Sequence, residues 1–536
     1  MNSMTKKTAI SMTRLLPLVM AVAMLLTATA HAAAPGITGA PFNLVANEAF
    51  ITQPDGNMVY SWGYGCTGGA PTFAPDAIPN AFCSNMQVPG PTLIVTEGQA
   101  FDVTLTNNLP VQAGNTSILF PGLRFASAPT AGVVGLLTQE AAHGGSVTYH
   151  LIADTPGTRS YYSGTQGDLQ VEMGLYGAVI VLPNSSNAPT CPAHVRNAGV
   201  VASGANAGTL IPNGEDDFRL SPTGAAYHVA GSCYDREYLF QFSEIDPRIH
   251  RQAEEQIQTI KSCVSSATVV CPTTLSVATE PYVPAYFMVN GRSMPDLMDS
   301  NYAPEYQHQP YNGNPHMHPG DQVLLRIIGQ GRWQHPFHEH GNHVRVLARD
   351  GNLIVSPTNA NSLAGPALFT TTTTPGLAID GIFYWTGKGL NWDAYGHHDS
   401  LATCTPDANG YNTAATTAIN FYEWCQDHNK PMQTFPTGDV GAGGPVTLPD
   451  PNLFANGAWF GGSPYLGPEA TVRAVGFTGT TPPSGTVANS PTDEAGFAFM
   501  WHSHNEREIT TNNIFPGGMM MMMLVDSREF VIDESK

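Results

Sequence analysis

Short stretches in which apolar and polar positions alternate recur along the chain, each closed by Gly, Pro or Asn. The stretch Gly90-Pro-Thr-Leu-Ile-Val-Thr leads into Ala100-Phe-Asp-Val-Thr-Leu-Thr-Asn, then Ser146-Val-Thr-Tyr-His-Leu, then Met173-Gly-Leu-Tyr-Gly-Ala-Val-Ile-Val-Leu-Pro. A period of two sends successive side chains to opposite faces of an extended backbone, so each stretch reads as a strand with one buried face. The same order is written again further on. His318-Pro-Gly-Asp-Gln-Val-Leu-Leu-Arg-Ile, His335-Pro-Phe-His-Glu-His-Gly-Asn-His-Val-Arg-Val-Leu, Leu377-Ala-Ile-Asp-Gly-Ile-Phe-Tyr-Trp and Phe497-Ala-Phe-Met-Trp-His-Ser-His-Asn-Glu form the second copy, followed by an apolar final strand. Two copies predict an all-β protein of two Greek-key β-sandwiches, residues 33–185 and 233–536.

Between the copies, residues 186–232 are rich in Asn, Gly, Ala and Pro and read as a linker or a long surface excursion. After an opening strand, Tyr238-Leu-Phe-Gln-Phe, the charge pattern of Pro247 to Ser265 predicts one helix. A stretch of about 387–490, with Trp392, His397, His398 and many Gly, Pro and Thr, is too irregular for a further domain. It predicts a loop over one end of the second sandwich, where binding sites usually lie.

Composition sharpens this picture. Charged residues make up 12% of the chain, against about 25% in ordinary globular proteins, and 54 Gly and 43 Pro supply turns rather than helix surface. A formal net charge of -20 argues against nucleic acid as a partner, since phosphate binding needs a positive surface. The first 32 residues have a basic start (Lys6, Lys7, Arg14), an apolar run from Leu15 to Leu26 and small residues around Ala30 and Ala32, the pattern of a secretory leader. No later stretch reaches the roughly 18 apolar residues of a membrane span, so the expectation is a periplasmic or secreted protein. Eight cysteines then sit in an oxidising compartment and favour up to four disulfides. Near-neighbour pairing would join Cys66 to Cys83, Cys263 to Cys271 and Cys404 to Cys425, although spacing alone does not fix connectivity.

The candidate chemistry is carried by histidines. In His-x-His on a strand the two imidazoles share a face about 7 Å apart at Cα. Two such pairs occur, His338 with His340 and His502 with His504, and the repeat places them on neighbouring strands. Imidazole suits copper, zinc, nickel or iron, and copper is the first choice for nitrogen donors; the bland alternative is a set of histidines bonded to one another and to water. His316-Met317-His318 opens a strand and reads either as an accessory copper site or as an exposed strand start. His343 reads as a neighbouring or surface histidine, and His397 with His398 as residues lining an entrance. The run Met519 to Met523 could lend an axial thioether through Met519, but alternate residues of a buried final strand would look the same.

The phrases Pro89-Gly-Pro-Thr, Gly174-Leu-Tyr-Gly-Ala-Val-Ile-Val-Leu-Pro, His335-Pro-Phe-His-Glu-His and Trp501-His-Ser-His resemble those of the multicopper oxidase superfamily, whose domains are cupredoxin-like and which includes laccases and copper nitrite reductases. The resemblance implies two cupredoxin-like domains with a helix-containing linker and a long inserted loop, as in two-domain members, which commonly form homotrimers. It also implies copper on His338, His340, His502 and His504, with His335 or Glu508 as a fifth ligand or proton donor.

The departures from the family pattern carry as much information. Ser503 stands where the family holds blue copper with a Cys, and Glu508 where it has a second His. Leu119-Phe120-Pro121-Gly122 replaces His-Trp-His-Gly, and Tyr162-Ser163-Gly164 replaces His-Ser-His. A hydroxyl cannot supply a copper–thiolate bond. The expectation is therefore an exported copper oxidoreductase with no blue centre and no complete trinuclear cluster. It would keep a mononuclear or dinuclear site and act on small molecules or metal ions. A non-enzymatic copper-sequestering protein is the alternative.

Overall fold

The computed structural model of the chain describes residues 34–67, 72–75, 80–191, 224–266, 268–389 and 495–526, with residue 532 and short pieces at 405–413, 422–426, 452, 462–466 and 487–488. The leader, most of the linker, His397, His398 and most of the inserted stretch lie outside the described residues. Two pairs of sheets account for nearly all the regular structure, as the alternation predicts.

The first pair stacks a five-stranded sheet ordered Gly157–Tyr162, Tyr176–Leu182, Leu93–Thr96, Gly36–Thr38, Thr72–Ala74 on a second ordered Met58–Cys66, Phe42–Thr52, Ala100–Asn107, Ser146–Ile152, Arg124–Ala131. Strand Ala100–Asn107 shows the period of two directly: Phe101, Val103 and Leu105 are buried and face the core while the residues between them are partly or fully exposed. The second pair has one sheet ordered Tyr286–Val289, Arg236–Ile245, Gln322–Gly329, Ala378–Tyr384, Val344–Arg349. The other is ordered His316–Met317, Met520–Asp526, Ala495–Ser503, His335–Glu339, Thr370–Thr373. Its core is aromatic, with Phe240, Phe337, Phe383 and Trp501 in edge-to-face contact.

The helix runs Pro247–Ser262, capped by Asp246, whose side chain accepts from the Arg248 N–H, with Pro247 in the first turn. It stops three residues before the sequence suggests, because Cys263 turns to extended backbone and bonds Cys271. Ile249, Ala253 and Ile257 on its buried face join the core of the first sandwich, so a segment that follows the second sandwich's opening strand packs on the first. The seam between sandwiches is also bonded: the Thr158 N–H donates to Asp380 Oδ2 (3.1 Å), and Arg326 Nη1 donates to Thr158 Oγ1 (2.9 Å). Cys66–Cys83 and Cys263–Cys271 pair as near neighbours, Cys191 bonds Cys233, and Cys425 is disulfide-bonded while Cys404 lies outside the described residues. Among the described residues no helix is long and apolar enough to cross a membrane.

Candidate metal centre

Strands His335–Glu339 and Ala495–Ser503 run antiparallel side by side, with His338 directly opposite His502 and Phe337 opposite Ser503. Register and pleat together send His338, His340, His502 and His504 to one face. The strands are fixed from the other side: Trp501, fully buried, donates its Nε1–H to the His340 carbonyl (3.0 Å). The strand ends at Glu339, and Gly341, at φ 99°, turns the chain just past His340, where a Cβ would meet the Phe499 ring at 3.0 Å.

The four rings gather. Centroids of His338 with His340, His338 with His502, His338 with His504, His340 with His502, and His502 with His504 lie 4.8, 5.6, 4.8, 5.1 and 5.5 Å apart. His340 Nε2 and His502 Nε2 are 3.3 Å apart. Two nitrogens bound to one ion at about 2.0–2.1 Å in tetrahedral geometry would be about 3.3–3.4 Å apart, so this pair has the spacing of two donors to one metal. His502 Nδ1 is 2.7 Å from the Ser503 carbonyl. A carbonyl only accepts, so the hydrogen sits on Nδ1 and Nε2 keeps its lone pair. His338 Nδ1 rests 2.8 Å from Thr370 Oγ1. His338, His340 and His502 are buried, whereas the His504 side chain is 56% exposed and opens the cluster to solvent.

Burial, and then the neighbouring imidazoles His340, His504 and His502, push the His338 pKa down to about 4, and burial lowers that of His502. His338 and His502 are therefore held toward the neutral form, the form that ligates. As it stands, no group of three or more His, Cys, Asp or Glu among the described residues is arranged to hold an ion. The rings pack edge to face, and closing them round one point requires rings to turn, the exposed His504 being the freest to do so. By number and type of donor the four fit copper.

His335 and Glu508 lie elsewhere. His335 is an odd number of residues from His338, so it shares the inner face with Phe337 and Glu339 and is fully buried. Its Nδ1 is 2.9 Å from Glu508 Oε2 and its Nε2 2.9 Å from Glu244 Oε2. Burial alone would lower its pKa, but the hydrogen bonds to Glu244 and Glu508 outweigh burial and raise it to about 9. With both nitrogens donating, the ring has no lone pair for a metal, which tells against a fifth-ligand role. Ser503 also donates to Glu508 Oε2, and Asn505 Nδ2 donates to Glu508 Oε1 (2.9 Å), so this clamp holds the turn that carries His504. Ser503 and Glu508, the two positions that the resemblance links to blue copper, are thus joined with His335 by hydrogen bonds. Glu244 was missed in the sequence. The signal was there: it continues the inward face of Phe240 and Phe242 on one strand, a charge where an apolar side chain belongs.

The remaining candidates are accounted for locally. His316 and His318 are buried, which overturns the exposed strand start; His316 Nδ1 is 2.7 Å from Asp526 Oδ2 and His318 Nδ1 2.9 Å from the Asp526 carbonyl. His343 packs on Phe369, 5.0 Å between centroids. Met519, Met521 and Met523 fill the core of the second sandwich, as alternation predicts.

Residues 72–186 match the multicopper oxidase family. Laccase abr2 of Aspergillus fumigatus is 41% identical over 100 residues, 18% of this chain and 16% of the laccase. Multicopper oxidase MCE of Talaromyces pinophilus is 34% identical over 115 residues, 21% of this chain and 18% of that protein. The chain matches less than a fifth of the length of these two relatives. Among solved structures, multicopper oxidase mgLAC aligns over 92% of this chain and 87% of its own at 16% identity, with a TM-score of 0.43.

Proposed function

We propose, from the match of its first sandwich to the multicopper oxidase family, that this chain is an exported copper-binding oxidoreductase of that superfamily. Its working site is the four-imidazole face of the second sandwich, mononuclear or dinuclear, without a blue centre. The observation that carries this reading is the convergence of His338, His340, His502 and His504 from two paired strands, with His340 Nε2 and His502 Nε2 3.3 Å apart.

Copper held there supplies one-electron redox chemistry toward a small molecule or a metal ion. The chain's own part is to present donors. Ser503 and Thr370 engage the Nδ1 atoms of His502 and His338, fixing ring orientation and directing Nε2 to the cluster. His504, more than half exposed, is the way in for metal and substrate. His335 and Glu508 act from behind, as positioning residues that hold the strand end and keep a proton between Glu508 and Glu244.

Metal analysis and EPR of the purified protein, beside a His502→Ala, His504→Ala variant, test the site. Stoichiometric copper and a Cu(II) signal are expected in the wild type, with both lost in the variant. A variant that keeps its full metal content and signal overturns the assignment. The acidic charge and the exposed His504 also suit a sequestering protein, and copper that is bound and released with no turnover of any small donor would select that reading.

A further inference from the structure

The residues standing where the family pattern has histidines in the first sandwich come together around a cavity. Leu119 and Tyr162 pair across the backbone, Leu119 N–H to Tyr162 carbonyl at 2.8 Å. Gly164 lies beneath Leu119, whose Cγ would be 2.8 Å from a Cβ at that position. With Gln330, Gly331 and Gly376 from the second sandwich they line a cavity of about 330 Å³ at the seam. Ligand sites favour domain seams and begin at about 300 Å³.

The chemistry of the walls selects a ligand. Gln330 is fully engaged, accepting from Ser160 and donating to the Gly177 carbonyl and to Gln241. Ser163, also on the wall, is spent on Gln170 and on the Thr165 backbone. The Tyr162 hydroxyl has no hydrogen-bond partner among the described residues, and it lies 3.6 Å from where a Gly376 Cβ would be. Burial, then the charge of Asp350, raise its pKa, so it remains a donor at neutral pH. No charged side chain lines the cavity, so an anion entering it would give up hydration without meeting a counter-charge, and anions are disfavoured. At the rim, Leu137 is 63% exposed while also lining the cavity, and Leu136 beside it is 93% exposed, which extends an apolar surface outward.

We propose that this seam cavity is a binding site for a small, neutral, largely apolar molecule whose acceptor oxygen takes the Tyr162 hydroxyl. It is separate from the four-imidazole face, none of whose histidines lines it.

Calorimetric titration of the full-length protein with naphthol tests this, with naphthalenesulfonate as the anionic comparison. The result expected is saturable one-to-one binding of naphthol, at least tenfold tighter than the sulfonate. Gly167 lines the cavity and has nothing within 4 Å of where a Cβ would project, so Gly167→Phe should fill the space and weaken binding more than tenfold without disturbing the fold. Tyr162→Phe should weaken it about fivefold, the loss of one hydrogen bond. The His502→Ala, His504→Ala variant should bind naphthol as wild type does, which separates this proposal from the metal assignment. Absence of saturable binding, undiminished binding by Gly167→Phe, or equal affinity for the sulfonate would each overturn it.

Discussion

Two histidines three residues apart on one strand sit in opposite electrostatic worlds. His335, on the inner face, is held between two carboxyl groups and its pKa rises to about 9; His338, on the outer face, stands among three other imidazoles and its pKa falls to about 4. Burial works against the charged form at both sites. What decides the outcome is the sign of the neighbours, and the pleat of the strand decides the neighbours. One face is therefore suited to keeping a proton, and the other to accepting a cation in place of one.

The sharpest way to break this contrast is to remove each ring in turn. His335→Ala leaves Glu244 and Glu508 facing each other in the core with no cation between them, and losing one partner of a buried ionic set costs about 3–5 kcal/mol. His338→Ala relieves crowding among like groups and should cost far less. Urea unfolding of both variants, in chelator, measures the difference. A His338→Ala loss as large as that of His335→Ala would mean that the outer rings are part of the core rather than a site.

A second test uses pH. His335 has a folded pKa above its ordinary value, so its contribution is fully present below about 6.5 and is lost as pH rises through about 9. His338 has a depressed folded pKa, so the metal-free protein loses stability as pH falls from about 6.5 to about 4, where the unfolded chain takes up the proton. His250, lowered to about 4 by burial, adds to the acid limb. Glu172 and Glu339, both raised to about 8 by burial, add to the alkaline one from about 4.5 upward. The part owed to His335 is what disappears in His335→Gln, and the part owed to His338 is what disappears in His338→Gln. If His335→Gln leaves the alkaline limb unchanged, the clamp holds no proton.

How much of this was legible beforehand follows from how far apart the partners are. Period-two alternation is local, so the strands, the all-β class and the shared face of His338 with His340 could be read directly. The meeting of those rings with His502 and His504 was reachable because the chain writes its pattern twice. Nothing of that kind links Glu244 to His335, 91 residues away, and a buried acid looks like any other acid until its neighbouring strand is known. The same reason hid the Cys191–Cys233 bond and the burial of His316 and His318 against Asp526. Leu119, Tyr162 and Gly164 were legible as replacements but not as the wall of a cavity, since four of its eleven lining residues come from the other sandwich.

The smallest predicted effect separates a ring that is aimed from one that merely lies in the cluster. Thr370, opposite His338 on the flanking strand, places Oγ1 2.8 Å from His338 Nδ1. Thr370→Val keeps the shape and the β-branch and removes only that oxygen. If the hydroxyl sets the ring's orientation toward an ion, copper affinity should fall about tenfold, the lower end for outer partners of metal-bound histidines, while the unfolding midpoint moves little. Competition with a chromophoric chelator gives the affinity and thermal unfolding in chelator gives the fold. An unchanged affinity would mean that His338 is not among the donors, and that the metal is held by the 3.3 Å pair of His340 and His502 with His504 alone.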